Sequence, residues 1–342
     1  MENDPVDNFE CEDNFWLDAF NETNVEDVGD LEGGENVPYT AALSAIAKLR
    51  GKLEDVDTDT DGCTPVSTTI HEGQGGTCEV LSEHGAELIF PTYKRSAAVF
   101  LAALQGDVDA ITALVEHGAD VNTPMKDGRT PVFIASLEGN VVVIRVLAEL
   151  GADVNVHDVE RRTPISGAAQ KGEVGAVRAL AELGADVNTS IKDGQTPVFI
   201  AAQEGDVNVI TALVEHGADV NTPMNDGRTP VFIAAQLGHV DAIRMLAEHG
   251  ADVNSPDVDG CTPMFIASQE GHVGAIRVLG ELGADVNAFD LVGRSPLTAA
   301  AQRGNVWVLR ALAELGADAN TPDKDGCSPV FIASQEGNVG AI

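Results

Sequence analysis

Asp57, Asp59, Asp61 and Gly62 spell D-x-D-x-D-G, the opening of a loop in which alternate carboxylates converge on a calcium ion. The twelfth position of such a loop supplies a bidentate Glu, and here it is Thr68, so the ligand that completes the shell is missing. Five cysteines, Cys11, Cys63, Cys78, Cys261 and Cys327, show no metal-ligand spacing and are odd in number, which predicts free thiols in a reducing compartment. His84, His117, His216 and His249 each precede a glycine, and His84 with His117, or His216 with His249, could offer two ligands to a metal. No third ligand type recurs beside them, so no metal site is expected. Nothing resembles a Ser/His/Asp or Cys/His nucleophile set. The chemistry that remains is cationic. Lys94, Arg95, Lys126, Arg129, Arg161, Arg162, Lys192, Arg228, Arg294 and Lys324 cluster at turns on an otherwise acidic chain. Either they are solvated charges beside local Asp residues, or they fork onto carboxylates or phosphates of an extended partner. On the second reading the partner-binding candidates are Lys126, Arg129, Arg161, Arg162, Arg228 and Arg294.

The turns that carry these cations recur every 33 residues, as in Asp226 to Val258, DGRTPVFIAAQLGHVDAIRMLAEHGADVNSPDV. Thr229 stands at a helix start, where its hydroxyl can accept an orphan N–H, and Pro230 takes the first helical position, where no N–H is needed. Gly238 ends a helix of about two turns by supplying a left-handed residue. Val240, Ile243, Leu246 and Ala247 then form one apolar stripe, and Gly250 closes a second helix. Ala251 to Val258 is turn and extended loop. Two helices this short cannot bury their apolar faces alone, so the units must stack, and the spacing predicts a solenoid.

The D-G-x-T-P opening, Ala234-Ala235, Gly238-His239 and the G-A-D-V-N ending at this period resemble the ankyrin repeat. The resemblance implies an all-α solenoid of helix-turn-helix units, with turns projecting as fingers beside a concave face made of first helices, where the family usually binds proteins. One departure is consistent. Phe133, Phe199, Phe232, Phe265 and Phe331 stand where the family usually has His, so apolar packing replaces any hydrogen bond that His would make.

Repeats are expected at 61–93, 94–126, 127–159, 160–192, 193–225, 226–258, 259–291 and 292–324, with a partial one at 325–342. Before them lie an acidic tail over 1–38, expected to be disordered, and a helix and linker over 39–60. The tail has Phe9, Phe15, Trp16, Leu17 and Phe20 but no Lys or Arg. It reads as a self-repelling tail, as an acidic-aromatic docking segment, or as a segment that lies on the basic fingers of its own repeats. Ending inside a second helix predicts a longer natural product, so the chain could be the adaptor or regulatory part of a larger protein whose activity lies beyond residue 342.

Net charge is −35, which disfavours nucleic acid, whose affinity comes from Lys and Arg on phosphates. The sequence shows neither a secretory leader nor a long apolar span, so an intracellular, cytoplasmic or nuclear, protein is expected, with no membrane span. The expected function is a non-catalytic scaffold without cofactor or metal, holding a protein or peptide on its concave face and fingers. The finger arginines, and the Phe-Ile pairs of the first helices where these are exposed, are the expected anchors. Arg145, Arg178, Arg244, Arg277 and Arg310 each precede a Glu by four residues and are expected to pair with it along the same helix.

Overall fold

The computed structural model describes residues 92–342, and the tail, the 39–60 segment, the repeat at 61–93, the Asp57–Gly62 motif, Cys63, Cys78 and His84 lie outside them. The helices are α1 (Thr92–Gln105), α2 (Val108–Glu116), α3 (Pro131–Leu137), α4 (Val141–Glu149), α5 (Pro164–Lys171), α6 (Val174–Glu182), α7 (Pro197–Glu204) and α8 (Val207–Glu215). They continue as α9 (Pro230–Leu237), α10 (Val240–Glu248), α11 (Pro263–Glu270), α12 (Val273–Glu281), α13 (Pro296–Arg303), α14 (Val306–Glu314) and α15 (Pro329–Gln335). No strand occurs among the described residues.

Local chemistry sets these limits. Thr196, Thr229, Thr262, Ser295 and Ser328 accept the backbone N–H three residues on, at 3.2 to 3.4 Å, and a proline follows each at the first helical position. The same short helix ends at a left-handed glycine, Gly205 after α7 and Gly238 after α9, with φ of 72° and 75°. A side chain there would be doubly penalised. A Cβ on Gly205 or Gly238 would also come within 2.7 or 2.6 Å of the ring of His239 or His272 on the following repeat.

Odd-numbered helices pack on odd and even on even, so the repeats build two layers of helices with the core between them. A first helix is enclosed on nearly every side: Pro230 to Ala235 of α9 are all buried. The Phe-Ile pairs, candidate anchors only where exposed, are interior except at Phe331, in keeping with the apolar packing expected of the Phe residues. Phe133, Phe199, Phe232 and Phe265 are at most 2% exposed, because each ring is sandwiched between successive first helices. Phe331 on α15, the last helix of this row among the described residues, is 55% exposed.

The expected pairing of each Arg with the Glu on its own helix is also corrected. Arg145 pairs with Glu182, Arg178 with Glu215, Arg244 with Glu281 and Arg277 with Glu314, each one repeat further along. Helical side chains lean toward the N-terminus, so an Arg that precedes a Glu leans away from it, while the neighbouring parallel helix brings the next Glu within reach. The hydrogen bond from Arg145 holds the Glu182 carboxyl below the usual carboxylate range. Arg310 instead lies 5.4 Å from the ring of exposed Trp307.

Asparagine does the stitching between loops. Asn221 Nδ2 donates to the Gly250 carbonyl at 3.0 Å and its Oδ1 accepts from Asp252 N–H at 2.8 Å, joining one repeat to the next. The same acceptor bond recurs from Asn122, Asn155, Asn188, Asn254 and Asn287 to the following Asp.

Candidate functional site: the finger edge

Between a second helix and the next first helix the chain makes a tight turn closed by backbone bonds. In one such finger Met224 N–H donates to Arg228 O at 2.8 Å and Gly227 N–H to Met224 O at 3.0 Å. Neighbouring fingers are joined as well: Val159 N–H donates to Asp127 O, Val258 N–H to Asp226 O and Leu291 N–H to Asp259 O, each at 2.9 Å. The result is an edge of hairpins tied to their neighbours by backbone bonds, except between the fingers at 158–162 and 191–195, where no such bond forms.

Two local designs close the turn. Where an Asp stands at the base, one carboxylate oxygen takes two backbone N–H groups. Asp158 Oδ1 accepts from Glu160 and Arg162, and Asp290 Oδ1 from Val292 and Arg294. The other oxygen takes the guanidinium of Arg162 or Arg294 at 2.7 Å, and both Asp side chains are nearly fully buried. Where the base is apolar, as at Met125 and Met224, the Asp one step beyond the next residue takes over. Arg129 lies 3.0 Å from Asp127, and Arg228 Nε donates to Asp226 at 2.7 Å.

The candidate cations thus divide. Arg129, Arg162, Arg228 and Arg294 are each committed to an Asp of their own finger, leaving about a third of each side chain exposed. Lys126 and Arg161 are exposed and have no ion-pair partner among the described residues, and the same holds for Lys192. Lys324 Nζ donates to the Leu291 carbonyl of the preceding finger. Arg161 is singular in its backbone: its φ of 66° is the only positive value at a non-glycine among the described residues. Gly128, Gly194, Gly227, Gly260 and Gly293 occupy the matching place elsewhere.

The sequence reading that set these cations beside local Asp residues did not say which Asp holds which arginine; the holders are Asp127, Asp158, Asp226 and Asp290. It also missed an apolar set along the fingers, Met125, Val159, Val258, Phe289, Leu291 and Val292, all exposed. Cys261 and Cys327 are free thiols near the finger bases. Burial, and then Asp257 and Asp290, push the Cys261 thiol up to about 12. His117 and His216 place Nδ1 2.8 Å from the carbonyls of Ala113 and Ala212, at the ends of their helices. Among the described residues no three His, Cys, Asp or Glu side chains converge as metal ligands.

Matches to family descriptions decide what this edge belongs to. "Ankyrin repeats (3 copies)" matches residues 91–158, 152–224, 189–257 and 217–290, and "Ankyrin repeats (many copies)" matches 297–342, together well over half of the chain. The chain belongs to the ankyrin repeat family. Among solved structures, the ankyrin repeat domain of human ASB11 is similar, with 28% identity and a TM-score of 0.55 over 62% of this chain and 96% of that one. The ankyrin repeat domain of Bcl-3, a member of the IkappaB protein family, matches at 27% identity and a TM-score of 0.56, over 61% and 95% of the two chains. No curated protein sequence matches significantly. Ankyrin repeats are generally protein–protein interaction modules and typically non-catalytic. No helix among the described residues is long and apolar enough to cross a membrane.

Proposed function

We propose that this ankyrin repeat protein is a non-catalytic scaffold that holds a segment of a partner protein along its finger edge and the adjoining concave face. The observation that supports this most is the row of hairpins tied edge to edge by backbone bonds, which presents side chains without an ordering cost on binding. Lys126, Arg161 and Lys192 are exposed cations of this edge without an ion-pair partner among the described residues. Arg129, Arg162, Arg228 and Arg294 present the exposed part of guanidinium groups already oriented by Asp, suited to a second carboxylate. The first-helix row contributes Gln203, Gln236 and Gln269, half-buried, with Glu204, Leu237 and Glu270 exposed beside them.

The test is to identify partners of the full chain by proximity labelling and then measure the affinity of each purified partner for Arg129→Ala, Arg161→Ala and Arg228→Ala chains. Loss of about 1 kcal/mol or more at one or more of these positions is expected, as for an anchor in a preorganised surface. Wild-type affinity in all three variants defeats the finger assignment, and turnover of a substrate by the purified chain defeats the scaffold reading.

A further inference from the structure

The finger edge is chemically polarised along its length. In the three fingers at residues 125–129, 158–162 and 191–195, five cations, Lys126, Arg129, Arg161, Arg162 and Lys192, stand among four carboxylates, Asp127, Asp158, Glu160 and Asp193. In the fingers at 257–261, 290–294 and 323–327 the balance reverses, with five carboxylates and two cations. A local excess of cation is an outlier on a chain of net charge −35.

Two further observations fall on the same three fingers. Met125 and Val159 are exposed beside Lys126 and Arg161 in the chain, so these fingers mix apolar and cationic groups. Val258, Leu291 and Val292 are exposed and apolar too, but they sit among Asp257, Asp259 and Asp290, which repel an acidic segment. Arg161 is also held at positive φ, where each neighbouring finger has glycine. A residue kept in a left-handed conformation costs on the order of 1 kcal/mol, and a cost retained at an exposed tip points to use of its side chain.

We propose that Lys126, Arg161 and Lys192, together with the exposed Met125 and Val159 of the same fingers, form a docking ridge for the acidic-aromatic segment at residues 1–38 of this same chain. The complementarity is direct. That segment carries thirteen Asp and Glu and no Lys or Arg, and adds Phe9, Phe15, Trp16, Leu17 and Phe20. Tethering supplies it at high effective concentration, while a separate acidic protein is repelled by the net charge of the whole chain. Reach is sufficient: 38 residues span at most about 125 Å, and three fingers at the spacing of packed helices cover roughly 20 Å. The contact needs no external partner, so it stands or falls apart from the proposed scaffold role, although an occupied ridge competes with any partner on those fingers.

Zero-length carbodiimide cross-linking of the full chain tests it, since the reagent joins a lysine amine only to a touching carboxylate. A mixture of isotopically light and heavy copies separates contacts within a chain from those between chains. Lys126 and Lys192 are expected to join carboxylates of residues 2–35 in the same copy. Their yield should exceed by about fivefold that of Lys171, at the far end of α5, and of Lys324, four fingers away. Arg161→Gly relieves backbone strain and so keeps the fold; it should cut the yield at Lys126 and Lys192 severalfold, as should raising salt from about 0.1 M to about 1 M, where the Debye length falls from about 10 to about 3 Å. Equal yields at all four lysines, a share of about one half of light-to-heavy products from an equal mixture, as random pairing between chains gives, or yields indifferent to Arg161→Gly would each overturn the proposal.

Discussion

Arg161 shows how one residue can depart from an otherwise uniform design. Its neighbours in the stack use glycine at the same turn position, and glycine alone takes φ near +85° without a Cβ penalty. Replacing Arg161 by glycine removes about 1–2 kcal/mol of left-handed strain and returns part of that as unfolded-state entropy. The net expectation is a gain of about 0.5–1 kcal/mol, read as a higher urea midpoint; a lower midpoint would show that the guanidinium stabilises the finger. Cys261 yields a second expectation. With its thiol pushed up to about 12, the folded chain stays protonated there while the unfolded chain ionises above about 8.5. Below that value the thiol contributes no pH dependence, and above it stability falls as pH rises. Peptide-resolved alkylation at pH 8.5 should therefore label Cys261 far more slowly in the folded than in the urea-unfolded chain, and equal rates would contradict the burial. At this scale the sequence marked the position of Arg161 by its glycine counterparts, while the strain and the thiol's surroundings needed coordinates.

Between elements, two kinds of stitch compete for importance. The Arg-to-Glu pairs join exposed side chains, and such pairs contribute about 0.2–1 kcal/mol each. The Asn221 bridge makes two hydrogen bonds to backbone groups of the next repeat, both at exposed atoms, so removing it hands a carbonyl and an N–H to water. Asn221→Ala is expected to cost about 1–1.5 kcal/mol, two bonds at the low end of the net range, against less than about 1 kcal/mol for Arg244→Ala. Chemical denaturation of the two variants decides the order, and the reverse order would mean that charge holds the stack. The sequence displayed the recurring Asn plainly as part of a turn. What it acts on lies one repeat away, which is why its role was not legible. The same limit explains the arginines: spacing along one helix suggested a partner four residues on, while lateral packing put a better one 37 residues on.

For the whole molecule, the balance is between many like charges and few neutralising contacts. Four exposed inter-repeat pairs weaken as salt is added, yet screening also relieves the repulsion of a net charge of −35. Repulsion is the larger effect, so the melting temperature should rise between about 0.01 and 0.5 M sodium chloride. A fall would show that the ion pairs dominate. Because each repeat touches only its neighbours, a core truncation such as Phe232→Ala, costing about 3–5 kcal/mol, should uncouple the stack locally. Hydrogen exchange should then rise around α7 to α11 before the distant repeats open.

The 33-residue period, the caps and the glycine stops were sufficient by themselves to determine the all-helical stack, because each acts through residues close in sequence. Only the tertiary structure decided which side chains face outward. Burial of the Phe rings, capture of Arg129, Arg162, Arg228 and Arg294 by finger carboxylates, and the exposure of Lys126, Arg161 and Lys192 all depend on lateral neighbours. Those neighbours arrive when successive repeats pack 8–10 Å apart, a distance no periodicity along the chain encodes residue by residue.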